Sequence, residues 1–244
     1  MNFIRIKTKL LVPPKDSLYQ ELDKIKIQDK DILVVTSKVV SIHEGRCIKI
    51  AVGQNKDKLI LQEAEKFLPR KLVPGQKALL TIKHHTLIAA SGIDTKNGNG
   101  YYILWPKNPQ ASAKKIWLHV KRKNRLRNFG LIITDSHSIP LRHGTLGISI
   151  GSFGFDPLKD YTHQPALFPD KRLKYAKANI ADGLASAATI QMGEGNEQTP
   201  LVLIHGADFV EFTDKILGKN LYTKFDEDIY LPLLQIFRDL TKQK

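Results

Sequence analysis

The sequence contains a single cysteine, Cys47, among 244 residues. One cysteine excludes an intrachain disulfide and a cysteine-rich metal site. The sequence also lacks any run of about 18 apolar residues, which argues against a membrane-spanning helix. Its first residues do not contain the apolar stretch of about 7–15 residues that a signal peptide needs. We therefore expect a cytoplasmic protein without a membrane partner, and the 42% hydrophobic content is that of an ordinary globular chain.

Acidic residues are scarce, with 24 Asp and Glu against 38 Lys and Arg, and the net charge is +14. A basic surface concentrates anions such as nucleotides, nucleic acids or acidic small molecules. The densest basic cluster is Lys121–Arg127. We interpret it as the solvated C-terminal end of an amphipathic helix, because no aromatic residues interleave the charges as single-strand binders require. An RNA- or DNA-binding arm is the alternative, and nucleic acid is the less favoured partner.

Several common motifs are missing from the sequence. It has no Gly-x-x-x-x-Gly-Lys-Ser/Thr P-loop and no Gly-x-Gly-x-x-Gly dinucleotide fingerprint. It also lacks a His-x-x-x-His pair, so zinc is not expected. Gly-x-Ser-x-Gly occurs at 147–151, but a nucleophile elbow should follow a strand and open a helix. This segment stays apolar and glycine-spaced beyond Gly151, which argues against a hydrolase built on Ser149.

Three acidic residues, in contrast, stand where an apolar run gives way to a small-residue turn. They are Asp94, Asp135 and Glu194. A carboxylate at the end of a buried run is unfavourable unless it is compensated, and a divalent cation is the usual compensation. One such residue would be an ordinary turn former. Three of them, each close to Gly or Ser, favour a hard-metal site that handles phosphate over three unrelated turns.

Strand-like and helix-like segments alternate along the chain. This alternation predicts an α+β (mixed α/β) fold, which we expect to form a single compact unit over residues 1–244. The predicted strands are Phe3–Leu11, Asp31–Val40, two within Ala78–Ile93, Gly130–Thr134 and Leu201–Ile204. One predicted helix begins after Asp16–Ser17. The other predicted helices span Leu59–Leu68, Ala111–Val120, Ala176–Met192 and Ile229–Leu240. The glycine-rich segment Gly144–Phe155 can bring backbone close to a ligand or another strand.

Ser37 and Lys38 place a hydroxyl and a cation side by side in the predicted strand Asp31–Val40. They are either a polar interruption on a half-exposed strand or a contact to phosphate. In the second case Lys38 supplies a point charge and Ser37 a hydrogen bond. Periodicity alone does not separate the two interpretations.

At these motifs the sequence resembles the coenzyme F420-0:γ-glutamyl ligase family, in particular its bacterial branch of folate-metabolism γ-glutamate ligases. The resemblance is strongest over residues 10–205. Its markers are the segments Asp31–Ser41 with Glu44–Arg46, Gly92–Asn97, Ile132–Ser136, Pro140–Thr145, Lys177–Asp182 and Met192–Pro200. Each motif alone is modest, but their order and spacing are specific together. The fold that the resemblance implies is a γ-glutamyl-ligase-like unit with mixed sheets and flanking helices.

The activity that the resemblance implies is the nucleotide-dependent attachment of L-glutamate to a carboxylate acceptor. It implies GTP as co-substrate, two divalent cations (Mg²⁺ or Mn²⁺), a possible K⁺ ion and a homodimer. Asp94 and Asp135 would hold one cation, and Ser136 and Glu194 would hold the other. The nucleotide contacts would be Leu11, Val12, Ser37, Lys38, Asn97 and the loop Met192–Thr199, with Met192, Gly193, Gly195 and Asn196.

The implied chemistry agrees with this layout. A carboxylate is a poor electrophile, so the γ-phosphoryl group must first be transferred to it, and cations that bridge the phosphates neutralise the charge that develops. The glutamate amine then attacks the acyl phosphate. Arg142, whose guanidinium presents a fixed fork of donors, is our hypothesis for a clamp on the γ-phosphate or a carboxylate.

The sequence also departs from the family pattern. Ile42 stands where family members usually carry a lysine, and Ile139 stands where they carry an arginine. The segment Leu167–Arg172 is longer than its family counterpart, and Lys171 or Arg172 could restore the missing charge. These changes leave the acceptor open between folate and F420-0, and the nucleotide open between GTP and ATP. The alternatives are a basic nucleic-acid-binding protein on the same fold and another two-metal enzyme such as a phosphotransferase.

Overall fold

The computed structural model describes residues 1–162, 164–165, 167 and 173–239. The described strands are β1 (Asn2–Ile6), β2 (Ile32–Thr36), β3 (Cys47–Lys49), β4 (Lys66–Leu68), β5 (Leu80–Lys83), β6 (Thr86–Ala89), β7 (Tyr101–Ile103), β8 (Gly130–His137), β9 (Leu146–Phe153), β10 (Leu158–Asp160), β11 (Lys177–Asn179), β12 (Leu201–His205) and β13 (Arg238–Asp239). The described helices are α1 (Leu18–Leu22), α2 (Ser37–His43), α3 (Lys56–Glu63), α4 (Pro109–Asn124), α5 (Ile180–Met192) and α6 (Leu231–Leu234). This mixture confirms the predicted α+β class.

A five-stranded mixed sheet with the order β1-β12-β2-β8-β9 forms the centre of the fold. Only the β2–β8 pair is parallel, with Thr36 opposite Thr134 at its end. The other neighbours are antiparallel. Because β2 and β8 run in the same direction, their carboxyl ends reach the same edge of the sheet. Residues that follow these two strands are therefore brought together although about a hundred positions separate them.

Helices cover both faces of this sheet. Leu33 and Val35 of β2 belong to the core on one face, together with apolar residues of α1, α2 and α4. Ile32 and Val34 belong to the core on the other face, together with the alanine-rich side of α5. Strands that are buried on both faces need continuous apolar sequences, which explains the unbroken runs in β2, β8 and β12.

A second, smaller sheet has the order β13-β4-β5-β6. Its β5–β6 hairpin confirms the two strands predicted within Ala78–Ile93. A separate apolar cluster that includes Ile60, Phe67 and Leu104 packs near it. The strand β6 leads through a short 3-10 turn directly to Asp94, so this part of the chain delivers one of the predicted site residues.

Five element predictions are wrong in part. The strand predicted over Phe3–Leu11 ends at Ile6. The helix predicted over Leu59–Leu68 ends at Glu63, and Lys66–Leu68 forms strand β4. The strand predicted to continue to Val40 ends at Thr36, and Ser37 begins helix α2. The helix predicted from Ala176 begins at Ile180, because the Asn179 side chain accepts a hydrogen bond from the backbone N–H of Asp182 and caps the helix there. The predicted C-terminal helix is reduced to Leu231–Leu234, since Arg238–Asp239 pairs as a strand with β4. The last predicted residue, Leu240, lies outside the described residues.

The glycine-rich segment forms β9 and is packed tightly by helices. A Cβ added at Gly147 would overlap the backbone of Ala185 in α5, and a Cβ at Gly151 would overlap the backbone of Pro109 in α4. The expected close approach of backbone is therefore to two helices. Among the residues that the structure describes, none of the helices combines the length and the apolar character that crossing a membrane requires.

Candidate active site

A cleft of about 320 Å³ opens at the edge of the central sheet where β2 and β8 end. Five parts of the chain form it: the segment after β1, the start of α2, the segment that contains Asn97 and Ile103, the end of β8 and the loop after α5. The predicted site residues that line it are Leu11, Lys38, Asn97, Asp135, Ser136, Met192, Gly193, Glu194, Gly195 and Asn196. Most residues that were predicted from scattered motifs therefore lie around one cavity.

Lys38 lies in the first turn of α2 and extends into this cleft. Its Nζ is 3.1 Å from Oδ2 of Asp94. Burial alone would lower the pKa of Lys38, but the carboxylates of Asp94, Asp135 and Glu194 outweigh burial and raise it. All three acidic residues that the sequence singled out therefore act on the same ammonium group.

Asp94 is held from its backbone and its side chain. Its backbone exchanges hydrogen bonds with Ile103 at 3.0 and 2.9 Å. The backbone N–H of Lys96 donates to its Oδ1 at 2.9 Å, and Nδ2 of Asn97 donates to its Oδ2 at 3.1 Å. Burial would raise the pKa of Asp94, but Lys38 and Asn97 outweigh it and lower the pKa. Asp94 is thus a charged carboxylate with a fixed orientation.

Asp135 lies near the end of β8 and is only 9% exposed. Its Oδ2 accepts a hydrogen bond from the indole N–H of Trp105, and its Oδ1 accepts one from the backbone N–H of Ser136 at 2.9 Å. Burial raises the pKa of Asp135 from 3.8 to about 6, and the Trp105 hydrogen bond and the charge of Lys38 oppose burial only in part. The ionised carboxylate of Asp135 is therefore only partly compensated by positive charge.

Glu194 lies in the loop after α5, where Oγ1 of Thr145 donates to its Oε1 at 3.2 Å. The loop is closed by Thr199, which donates its hydroxyl to the carbonyl of Met192 at 2.6 Å. Glu197 accepts a hydrogen bond from the backbone N–H of Gly195 at 2.9 Å. Gly193 has φ +81°, a backbone conformation that side chains rarely adopt, so glycine is favoured at this point of the loop.

Four predicted site residues are not among the described residues that line the cleft. Ser37 is buried at the start of α2, next to Lys38. Asp94 reaches the cleft through its contacts with Lys38 and Asn97. Val12 is exposed, and its N–H donates to Asp16 at 3.3 Å. Arg142 lies on the exposed loop between β8 and β9, where its Nη1 donates to the carbonyl of Leu141 at 3.1 Å.

The sequence also left some cleft residues without a role. Thr8, Lys9, Thr36, Thr134 and Thr189 line the cleft, and Trp105 contacts Asp135 from behind. Trp105 stands 30 positions from Asp135 and carries no motif, so no sequence signal indicated their contact.

The predicted cation ligands are all oxygen donors, as Mg²⁺ and Mn²⁺ prefer. Within the described ranges, no group of three or more His, Cys, Asp or Glu side chains is close enough to hold a metal ion by itself. Asp94 instead contacts the ammonium of Lys38. The chemistry of the donors fits a hard cation, and the assignment of Asp94, Asp135, Ser136 and Glu194 stays a prediction.

The departures from the family pattern lie in different surroundings. Ile42 is buried and lines the cleft, so this position brings an apolar surface to it. Ile139 is half-buried in the loop after β8. Lys171 and Arg172 lie outside the described residues.

Two motifs that the sequence set aside have structural roles. The basic cluster ends helix α4, as predicted, with Arg125 in the left-handed conformation after its last turn. Lys121 pairs with Asp214 at 3.0 Å, and Lys123 pairs with Asp23 at 3.3 Å. Ser149 is buried in the middle of β9 and does not follow a strand into a helix, in agreement with the argument against a hydrolase.

Comparisons with known proteins agree with this arrangement. The family model for F420-0:gamma-glutamyl ligase matches residues 8–206. A coenzyme F420:L-glutamate ligase of Methanococcus maripaludis strain C7 is 32% identical over 244 residues, which cover 94% of this chain and 97% of the relative. The coenzyme F420:L-glutamate ligase of Methanocaldococcus jannaschii is 34% identical over 221 residues, covering 84% and 86%.

These matches define the class of the protein as a ligase. The chain belongs to the F420-0:gamma-glutamyl ligase family, because the family model covers most of its length. The resemblance seen in the sequence motifs is thereby confirmed.

Proposed function

We propose that this ligase uses a nucleotide and divalent cations to join the amine of L-glutamate to a carboxylate of a cofactor-type acceptor. The names of its relatives support L-glutamate as the added group and an F420-type acceptor. A folate-type acceptor stays the alternative that the bacterial branch implies. GTP is the expected co-substrate, with ATP as the alternative.

One observation carries this proposal. Lys38, at the start of α2, contacts Asp94, and the charges of Asp135 and Glu194 also raise its pKa. The lysine lies in a cleft that can admit a nucleotide. A lysine at the first turn of a helix is well suited to bind phosphate, because the helix dipole and the ammonium both attract an anion. The adjacent loop of Gly193, Gly195 and Asn196 brings its backbone to the wall of the same cleft.

The carboxylates fit the cations that phosphoryl transfer requires. Asp94 and Asp135 would hold one cation, and Ser136 and Glu194 the other. When bound, Mg²⁺ or Mn²⁺ would neutralise the negative charge that develops on the phosphates during transfer. Asp135 is suited to this because it is buried with too little positive charge around it.

The reaction proposed for the cleft has two steps. A carboxylate oxygen of the acceptor attacks the γ-phosphorus, the bond to the nucleoside diphosphate breaks, and an acyl phosphate forms. The glutamate amine then attacks the acyl carbon, a C–N bond forms, inorganic phosphate leaves, and the amine loses a proton. Lys38 would hold the phosphate oxygens in both steps. Arg142 stays a hypothesis as a clamp, since its loop would have to approach the cleft.

The first experiment is calorimetric titration of GTP and ATP into the protein, with and without Mg²⁺ or Mn²⁺. We expect metal-dependent binding of one nucleotide, and loss of that binding in Asp135→Asn. Phosphate release that needs both L-glutamate and an F420-0 or folate acceptor would then identify the substrates. The same assays with and without K⁺, and light scattering for the expected homodimer, test the remaining family properties.

The outcomes separate the alternatives. Binding of neither nucleotide under any metal condition would overturn the ligase proposal and favour the nucleic-acid-binding alternative. Nucleotide hydrolysis or transfer that does not depend on glutamate would indicate a phosphotransferase instead. A matched control is Asp214→Asn. This variant removes an exposed carboxylate that pairs with Lys121 and does not line the cleft, so it should leave nucleotide binding unchanged.

A further inference from the structure

We infer that Trp105 is a positioning residue that fixes the Asp135 carboxylate relative to Asp94, and so sets the geometry in which a divalent cation can bind. This inference rests on the proposed function, since it concerns the same cation site. It adds a residue that belongs to none of the motifs by which the site was recognised.

The first argument is the contact itself. Trp105 is 1% exposed, and its indole N–H donates to Oδ2 of Asp135. The other oxygen of this carboxylate accepts the backbone N–H of Ser136 at 2.9 Å. An indole is a donor only and cannot rotate its N–H away without moving the whole ring. Together these two donors fix the orientation of Asp135.

The second argument is that the same short segment also holds Asp94. Ile103, two residues before Trp105, exchanges backbone hydrogen bonds with Asp94 at 3.0 and 2.9 Å. Gly92, two residues before Asp94, lies directly against the indole, and a Cβ there would overlap Nε1 of Trp105. The segment from Ile103 to Trp105 therefore connects the backbone of one predicted ligand with the side chain of the other.

The third argument is that Trp105 is itself held in place by partly buried charges. Nε of Arg46 donates to the carbonyl of Trp105 at 3.0 Å. Arg46 and Lys83 both contact Oε2 of Glu63 at 2.7 Å. The ammonium of Lys83 lies 5.7 Å from the centre of the Trp105 ring, within cation–π range. These contacts restrict the tryptophan to one position.

The chain provides a matched control for this residue. Its second tryptophan, Trp117, is 4% exposed and donates its indole N–H to the carbonyl of Phe129 at 2.7 Å. Trp117 packs in the main core between α4 and the sheet. Replacing either tryptophan by phenylalanine removes one buried indole hydrogen bond, but only Trp105→Phe releases a predicted cation ligand.

The test measures Mn²⁺ affinity by calorimetry for the wild type, Trp105→Phe and Trp117→Phe, each without nucleotide, with GTP and with ATP. Thermal unfolding of the three proteins checks that they are folded. We expect Trp105→Phe to weaken Mn²⁺ binding by about 10–100-fold, the usual effect of removing a partner that orients a metal ligand. We expect Trp117→Phe to bind Mn²⁺ like the wild type.

A second measurement does not depend on the stability of Trp105→Phe. In Trp117→Phe, Trp105 is the sole tryptophan, and paramagnetic Mn²⁺ bound at Asp135 should quench its emission over the same concentrations that calorimetry reports. Adding Asp135→Asn should abolish the quenching. In Trp105→Phe the emission of Trp117 should stay almost constant.

The results distinguish the inference from the proposed function. If the wild type binds no Mn²⁺ with either nucleotide, the cation site of the proposed function is wrong, and the role of Trp105 is overturned with it. If the wild type binds Mn²⁺ and Trp105→Phe binds it equally well, only the positioning role is overturned. Mn²⁺ binding that leaves Trp105 emission unchanged would have the same meaning.

Discussion

The cleft and the basic end of α4 are both rich in charge, but they differ in how that charge is compensated. At the end of α4, Lys121 pairs with an Asp214 side chain that is 69% exposed, so water screens both groups. In the cleft, Lys38 is surrounded by Asp94, Asp135 and Glu194, and Asp135 is only 9% exposed. The first arrangement is the solvated end of a helix. In the second, the negative charge of the carboxylates is only partly compensated, and a cationic ligand can compensate the rest.

The largest expected difference between the two regions is in activity. Lys38→Met should lower kcat/KM by about 10²-fold or more, because it removes a fixed positive charge from the site of phosphoryl transfer. Lys121→Met should leave kcat/KM unchanged. Glutamate-dependent phosphate release, measured with the acceptor found in the first assays, checks both. Equal effects of the two variants would show that the position of Lys38 among the cleft carboxylates is not what matters.

The second difference concerns stability and its dependence on pH. The pKa of Asp135 is about 6 in the folded protein and 3.8 as its ordinary value. Between these pH values the folded state binds more protons than the unfolded state. Asp135 therefore lowers the free energy of unfolding as pH rises from about 4 to 6, and its contribution does not change further above pH 6. In EDTA at pH 7.5, Asp135→Asn should therefore raise the free energy of unfolding by about 2–3 kcal/mol.

Urea unfolding at pH 4 and pH 7.5 measures this effect. The gain from Asp135→Asn should be small at pH 4, where the wild-type carboxyl is largely protonated in the folded state. The exposed control Asp214→Asn should show no comparable gain at either pH. A loss of stability in Asp135→Asn at pH 7.5 would mean that the carboxylate is compensated better than its surroundings indicate.

The smallest expected effect is at the end of α4. Breaking the pair between Lys121 and Asp214 by Lys121→Met should change the free energy of unfolding by no more than about 1 kcal/mol, as is usual for exposed ion pairs. Urea unfolding at low and high salt measures it. A larger, salt-independent loss would show that the ammonium of Lys121, which lies 4.4 Å from the Trp117 ring centre, contributes through its contact with that ring.

Much of the fold could be predicted where local sequence and tertiary environment agree. The apolar runs of β2, β8 and β12 are continuous because both faces of these strands are covered. The hairpin of β5 and β6 also follows from its sequence. Asp135 and Glu194 were recognisable because carboxylates next to apolar runs are unusual, and the structure brings both to one cleft.

Other features depend on contacts that the sequence does not encode locally. Val39 and Val40 favour a strand, but the chain turns into α2 at Ser37, and both valines pack into the main core from a helix. The pairing of Lys38 with Asp94 joins residues that are 56 positions apart, and no periodicity in the sequence indicates it. The contact between Trp105 and Asp135 is hidden for the same reason.

The order of strands in the central sheet has a consequence for the synthesis of the chain. The strand at one edge, β1, pairs with β12, so Asn2 meets His205. The parallel strands at the cleft, β2 and β8, also pair residues as far apart in the sequence as Thr36 and Thr134. While the ribosome is still producing α5, β1 has no partner and the loop that carries Glu194 does not yet exist. The nascent chain therefore holds Lys38 long before the cleft can close around it, and such non-local pairing is expected to make folding slow.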